Sequence, residues 1–255
     1  HPDVDFISFT GSNAVGARIG KNAADTAKRV GLELGGKSAF IVLPDADIAQ
    51  VAPMAVMALM PNSGQMCGAG SRTIVPAVMQ EAFVAAMKAV VQNLKVGDPA
   101  GDADLGPVVS EKQWSTIQKY IQSGFDEGAR LIIGGTGKPK GFEKGSYVKP
   151  TVFADVTNEM KIAREEIFGP VASVIPYDTV EEAIEIANDS PYGLAGYVFG
   201  PDHQQATEVA RQLRTGYVSV NTINYDVQAP WGVYKTSGVG RENGVWGIEE
   251  MLEIK

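Results

Sequence analysis

Short apolar runs alternate along the chain with longer stretches in which apolar residues recur every three or four positions. Residues 4–9 form one such run, and "TGSNAVGARIGKNAADTAK" behind them has the spacing of a helix. Strands are predicted over 30–34 and 39–43, the second an unbroken apolar run closed by Pro44. A helix follows over 47–60, a strand over 73–75, and an amphipathic helix over 79–94 with Phe83, Ala86, Met87, Val90 and Val91 on one face. Beyond them, helices over 111–127, 179–188 and 203–213 are interleaved with strands over 130–133, in "YVKPTVFADV" and "VASVIPY", and over 195–199 and 217–220. A polar, Gly- and Lys-rich segment after residue 133 reads as hairpin-like, and the tail "GVWGIEEMLEIK" reads as a short helix leading to a strand. Such alternation predicts an α/β fold with a mostly parallel sheet flanked by helices.

Within this pattern, "GLELGGKS" (31–38) matches the P-loop motif G-x-x-x-x-G-K-[ST]. A P-loop must open a helix, whereas Ser38 leads into the apolar strand 39–43. Glu33 would also set a carboxylate where amides should wrap a polyphosphate. The stretch therefore needs another use. "GGTGKPKG" (134–141) and "GVGRENG" (238–244) both miss G-x-G-x-x-G and read as turns, so the chain has no dinucleotide fingerprint of its own.

Composition narrows the function classes. Of the 255 residues, 44% are hydrophobic and 20% charged, which suits a folded soluble domain rather than a disordered chain. A net charge of −8 disfavours nucleic acid and anionic membranes as partners. The longest apolar run, 51–60, is too short to span a bilayer. The first residues, His1-Pro2-Asp3-Val4-Asp5, lack signal-peptide character and read as the start of a piece cut from something longer. The lone cysteine, Cys67, permits no internal disulfide and makes the cytoplasm the expected compartment. With two histidines and one cysteine, no metal site is expected. His203 sits at a polar helix start and reads as a surface residue.

Cys67 lies in "NSGQMCGAGSR" (62–72), where Gly64, Gly68, Ala69 and Gly70 leave little bulk around the thiol. Such a setting admits a ligand and leaves backbone N–H groups free to face an oxyanion, although a lone cysteine can equally be an inert core thiol. If catalytic, it is expected to be alkylated near pH 7 faster than a free thiol.

Five motifs in order, "FTGSNAVG" (9–16), "LELGGKS" (32–38), "GQMCGAGSR" (64–72), "EEIFGPV" (165–171) and "GVYKTSGVGRENG" (232–244), resemble the aldehyde dehydrogenase superfamily, and the resemblance covers essentially the whole chain. It implies that Cys67 attacks an aldehyde as a thiolate, that hydride passes to NAD or NADP, and that Glu33 activates the water that hydrolyses the resulting thioester. It implies a cofactor site at Thr10, Gly11, Ser12, Leu34, Glu166 and Phe168, with Ser12 near the phosphates, Glu166 on the nicotinamide ribose and Phe168 beside the ring. Trp231 falls where the family has an aromatic wall of the aldehyde pocket.

By the same resemblance, residues 1–36 are a remnant of the NAD(P)-binding domain, 37–245 the catalytic domain, and 246–255 the start of the C-terminal oligomerisation strand. The family's N-terminal portion is missing, and with it an oxyanion-hole asparagine, the lysine that reaches the cofactor ribose and most of the dinucleotide sheet. Val233 stands in place of a common glycine. The expected protein is thus the catalytic half of an enzyme that oxidises a small aldehyde and is a homo-oligomer at full length. The half alone is expected to be inactive or impaired. A non-catalytic, self-associating fragment is the other class considered, and a CoA-acylating relative is a third, against which Glu33 argues.

Overall fold

In the computed structural model, which describes residues 1–254, the chain folds around a seven-stranded sheet. In chain order it begins with strand β1 (Phe6–Thr10), helix α1 (Asn13–Ala24), β2 (Arg29–Glu33) and β3 (Ala39–Val42). Next come α2 (Ile48–Met57), a 3₁₀ turn (Pro61–Gly64), β4 (Arg72–Pro76), α3 (Gln80–Gln92), α4 (Glu111–Asp126), β5 (Arg130–Ile133) and β6 (Thr151–Ala154). Then follow α5 (Lys161–Arg164), β7 (Val171–Tyr177), α6 (Val180–Asn188), β8 (Tyr192–Gly193), β9 (Ala195–Phe199), α7 (His203–Arg211) and β10 (Tyr217–Val220). The last elements are β11 (Trp231–Gly232), β12 (Tyr234–Lys235), β13 (Gly238–Val239), β14 (Arg241–Glu242) and α8 (Gly244–Glu249).

The large sheet runs β10-β9-β3-β4-β7-β6-β5 and is parallel apart from the antiparallel β5–β6 pair. Its central strands are apolar on both faces because helices cover both. Along β3 and into the next residue, Ala39, Ile41 and Leu43 join Ile117 and Ile121 of α4, Ala183 of α6 and Val209 of α7 in one core. Phe40 and Val42 point the other way and pack with Ala52 and Val56 of α2 and Phe83 and Met87 of α3. An alternating strand would have left one face wet. This one has no polar side.

Observed boundaries move by a few residues from those expected. α2 ends at Met57 rather than at 60, starts on an Asp47 cap whose Oδ1 accepts from Ala49 N at 3.0 Å, and carries Pro53 inside it. His203 is exposed at the start of α7, as expected. The segment 31–38 ends β2, crosses a loop and enters β3, so it opens a strand and not a helix. Residues 246–249 belong to α8, and 250–254 form no strand; a strand needs a partner, and among the described residues none pairs with them.

A second sheet, β1-β2-β13, positions the site. β2 pairs in parallel with β1 (Thr10 opposite Glu33) and antiparallel with β13 (Gly238 opposite Glu33). The N-terminal segment is therefore completed by a strand from more than two hundred positions later in the chain. No helix among the described residues is long and apolar enough to cross a membrane.

Candidate active site

Three loops meet where strands of the large sheet begin: 34–38 before β3, 65–71 before β4 and 165–170 before β7. Gly35 and Gly36 allow the meeting. A Cβ on Gly36 would lie 2.3 Å from the Cys67 carbonyl oxygen, and one on Gly35 would lie 2.4 Å from Glu166 Oε2. Gly36 N donates to Glu166 Oε1 at 3.1 Å, so the turn carries the Glu166 carboxylate on one side and the Cys67 backbone on the other. The P-loop-like glycines thus serve close packing, and no phosphate is needed to explain them.

The loops open onto a cavity of about 640 Å³ lined by Thr10, Gly11, Ser12, Leu34, Cys67, Glu166 and Phe168, among others. Seven of the nine site residues expected from the sequence are therefore brought together. Ser12 is the N-cap residue of α1, yet its side chain makes no capping bond, which leaves the hydroxyl and the first-turn N–H groups open to an anion. Gly11 N donates to the Glu33 carbonyl at 3.0 Å and fixes this loop to β2. Phe168 has φ +52, a left-handed backbone costing about 1–2 kcal/mol for a side-chain-bearing residue. Gln113 offsets that cost from α4, its Nε2 donating to the carbonyls of Ile167 at 3.1 Å and Phe168 at 2.9 Å.

Cys67 follows a second strained turn. Asn62, Ser63 and Gly64 have φ of 53, 55 and +72, and Ser63 Oγ donates to the Gly106 carbonyl at 2.7 Å to hold them. Strain retained beside a nucleophile-type residue is the usual mark of a functional turn. The thiol borders the cavity and is pushed up in pKa, first by burial and then by the charges of Glu166 and Glu33, while the N–H groups of Gly68 and Cys67 pull it down. That direction runs against the expectation of a thiol more reactive than free cysteine at neutral pH, and an alkylation rate decides between them. The charges of Glu166 and Glu33 both oppose the thiolate.

Glu33 and Trp231 lie outside the cavity wall. Trp231 stands behind Cys67, packed with it against Leu194, Ala195 and Val233, and a Cβ on Gly68 would touch the indole at 3.3 Å. Its Nε1 donates to Glu33 Oε2 at 3.1 Å. Tyr217 and Tyr225 pack on the indole, with ring centroids 5.3 and 5.1 Å away. Glu33 is only 5% exposed, and its other oxygen has no partner among the described residues. Burial, and then the charge of Glu242, raise its pKa to about 7, against the Trp231 hydrogen bond and the nearby Arg241. A carboxyl poised near neutrality suits a general base.

Behind the loops lies a frame that sequence reasoning missed. Arg72 is fully buried, its guanidinium donating to the carbonyls of Lys37, Ile186 and Ala187 and to Asn158 Oδ1 at 2.8–3.0 Å. Ser237 Oγ donates to the Gly35 carbonyl at 2.7 Å and accepts from Gly193 N at 3.0 Å. Asn13 Oδ1 accepts from Gly35 N at 3.1 Å. None of these residues carries a local pattern that sets it apart from an ordinary polar position. Among the described residues no group of three or more His, Cys, Asp or Glu could hold a metal ion.

Comparison with known proteins places this arrangement. A profile of the aldehyde dehydrogenase family matches residues 1–255. A Staphylococcus saprophyticus protein named "Putative aldehyde dehydrogenase" is 50% identical over 256 residues, covering 100% of this chain and 54% of that protein. The crystal structure of a mutant of aldehyde dehydrogenase C from Pseudomonas syringae, in complex with NAD+ and octanal, is 48% identical with a TM-score of 0.97 over 99% of this chain and 52% of that one. Mycobacterium tuberculosis aldehyde dehydrogenase, complexed with NAD+, is 49% identical with a TM-score of 0.96 over 98% of this chain and 52% of that one. The chain thus spans about half the length of these relatives. By sequence and by fold it belongs to the aldehyde dehydrogenase family.

Proposed function

We propose that this chain carries the catalytic half of an NAD(P)-dependent aldehyde dehydrogenase, with Cys67 as nucleophile and Glu33 as general base. The observation that carries the reading is a single indole that packs on a thiol bordering the cavity and donates to a buried carboxyl behind it. The Cys67 thiolate adds to the aldehyde carbon, and the N–H groups beside it favour the anion. NAD+, when bound, would supply the acceptor for the hydride that leaves that carbon, and Cys67 would hold the carbon in place for the transfer. What remains on Cys67 is a thioester. Glu33 takes a proton from water, the hydroxide displaces the Cys67 thiolate, and a carboxylic acid leaves.

The residues fit the cofactor. Ser12 and the N-terminus of α1 would hold a phosphate, Glu166 would accept from ribose hydroxyls, and Phe168 would pack on the ring. Octanal in the Pseudomonas relative makes a medium-chain aldehyde the first substrate to try. Glu33 favours water over CoA as the acyl acceptor. The aromatic group Trp231, Tyr217 and Tyr225 is the proposed wall of the aldehyde site.

The test is acyl trapping on the full chain. p-Nitrophenyl acetate should acetylate Cys67 in the wild type, detected by peptide mass spectrometry. Cys67→Ala should abolish the adduct and Glu33→Gln should prolong its life. A wild type that never acylates at Cys67 would remove the catalytic reading. One observation supports self-association as well: β1 pairs only with β2 among the described residues, leaving an open sheet edge. Sedimentation velocity on the same preparation measures it.

A further inference from the structure

The Gly35–Gly36 turn is held by side chains from three distant parts of the chain. Glu166 Oε1 accepts from Gly36 N at 3.1 Å, Ser237 Oγ donates to the Gly35 carbonyl at 2.7 Å, and Asn13 Oδ1 accepts from Gly35 N at 3.1 Å. Of the three, only Asn13 belongs to the helix that starts at the cavity: it is the first residue of α1, directly after Ser12. The other end of its amide is engaged as well, Nδ2 donating to the Thr236 carbonyl. An N–H on one side requires the amide oxygen and a carbonyl on the other requires the nitrogen, so these neighbours fix the orientation of the group. An aspartate would keep the acceptor and lose the donor, and a leucine would lose both. The contact extends to Glu166. A Cβ on Gly35 would lie 2.8 Å from Asn13 Oδ1 and 2.4 Å from Glu166 Oε2, so both oxygens pack on one residue that has no side chain to part them. Two stretches of the cavity wall meet here, Thr10, Gly11 and Ser12 in one, Leu34, Gly35 and Glu166 in the other. Asn13 does not line the cavity; its amide ties the two stretches together from outside the wall. The backbone bond from Gly11 N to the Glu33 carbonyl joins the strand ends and does not reach the turn.

We propose that Asn13 is a positioning residue that sets the span of the cofactor site, clasping the phosphate-binding end at Ser12 to the ribose-binding end at Glu166. The proposal deepens the reading above and rests on it for what each end receives. A ligand held at two ends gains from the second contact only when the spacing of the protein groups matches its own. Cutting the clasp lets α1 and the turn shift relative to each other. A ligand that spans them then loses affinity, while one that occupies a single end does not.

The test compares two probes on the full chain by calorimetry: NAD+, which would engage both ends, and inorganic pyrophosphate, which would occupy the α1 end alone. Asn13→Leu should weaken NAD+ about tenfold, the scale of one or two lost hydrogen bonds, and pyrophosphate less than about twofold. Amide hydrogen exchange should show Gly35 exchanging faster in the variant, its acceptor gone. A residue that merely stabilised α1 would lower both affinities together. Equal losses, no loss of either, or an unchanged Gly35 exchange rate would each overturn the proposal. Should Asn13→Leu fail to fold, Asn13→Ser, whose hydroxyl is too short to reach both partners, carries the same expected split and is overturned by the same results. Faster Gly35 exchange in the variant, beside a wild type that binds no NAD+, would sustain the clasp and refute the cofactor reading it serves.

Discussion

Replacing Glu33 by glutamine tests the buried carboxyl through stability. The folded chain holds the Glu33 proton up to about pH 7, against an ordinary value of 4.5. Between those values the native state binds more protons than the unfolded state, so this group's contribution to stability falls as pH rises from 4.5 to about 7. That interval, at 1.36 kcal/mol per pH unit, amounts to about 3 kcal/mol lost by pH 8. Glutamine removes the titration while its oxygen still accepts from Trp231 Nε1, and its buried amide N–H groups cost about 1 kcal/mol at every pH. Glu33→Gln should therefore match the wild type at pH 5 to within about 0.5 kcal/mol and exceed it by about 2 kcal/mol at pH 8. For 255 residues, an unfolding entropy of about 0.5 kcal/mol/K turns the latter into a gain of about 4 °C. Thermal unfolding by circular dichroism at both pH values is the assay. Comparison of the two proteins at one pH cancels the titrating groups that Glu33 does not touch. An equal shift at pH 5 and pH 8, or a loss at pH 8, would refute a carboxyl held near neutrality by burial.

Cys67 in the free chain should be alkylated by iodoacetamide more slowly than free cysteine at pH 7, with Glu33→Gln faster than wild type at pH 8, because Glu166 and Glu33 oppose the thiolate. Equal rates in both proteins would show that the carboxylate charges do not reach the sulfur. Arg72→Met strands three carbonyls and the Asn158 amide oxygen, and should cost about 3–5 kcal/mol. A melting temperature within about 1 °C of wild type would contradict that frame. Gly36→Ala forces the Cys67 carbonyl away from a 2.3 Å overlap, a displacement of about 1 Å that should slow Cys67 acylation about a hundredfold. Unchanged acylation would mean the two loops move independently.

Much of the fold could be read from local pattern. The apolar run 39–43 announces a doubly covered strand by having no polar side, and the three-to-four spacing of α3 announces the face that meets it. Cys67 and Glu166 were visible because their neighbours are conspicuous: glycines around one, a proline-terminated loop after the other. Glu33 was visible as a carboxylate among leucines, but its placement was not. It sits behind Trp231 rather than on the cavity wall, because strand alternation sends Leu34 to the cavity and Glu33 the other way. Arg72, Gln113, Ser237 and Asn13 were illegible for one physical reason. Their hydrogen bonds reach across 22 to 202 positions, and no window along the chain contains both ends of such a bond.

The strand carrying Glu33 is clasped by β13, and its carboxyl is met by an indole 198 residues further on. Trp231 and Val239 leave the ribosome more than 160 residues after Cys67 and about 200 after Glu33, so over that interval the thiol and the carboxyl coexist without the contacts that join them. The nascent thiol is then an ordinary one, and the acid beside it an ordinary acid. The pairing of indole and carboxyl, and the clasp of β13 on β2, arrive only when the segment carrying Trp231 and Val239 docks.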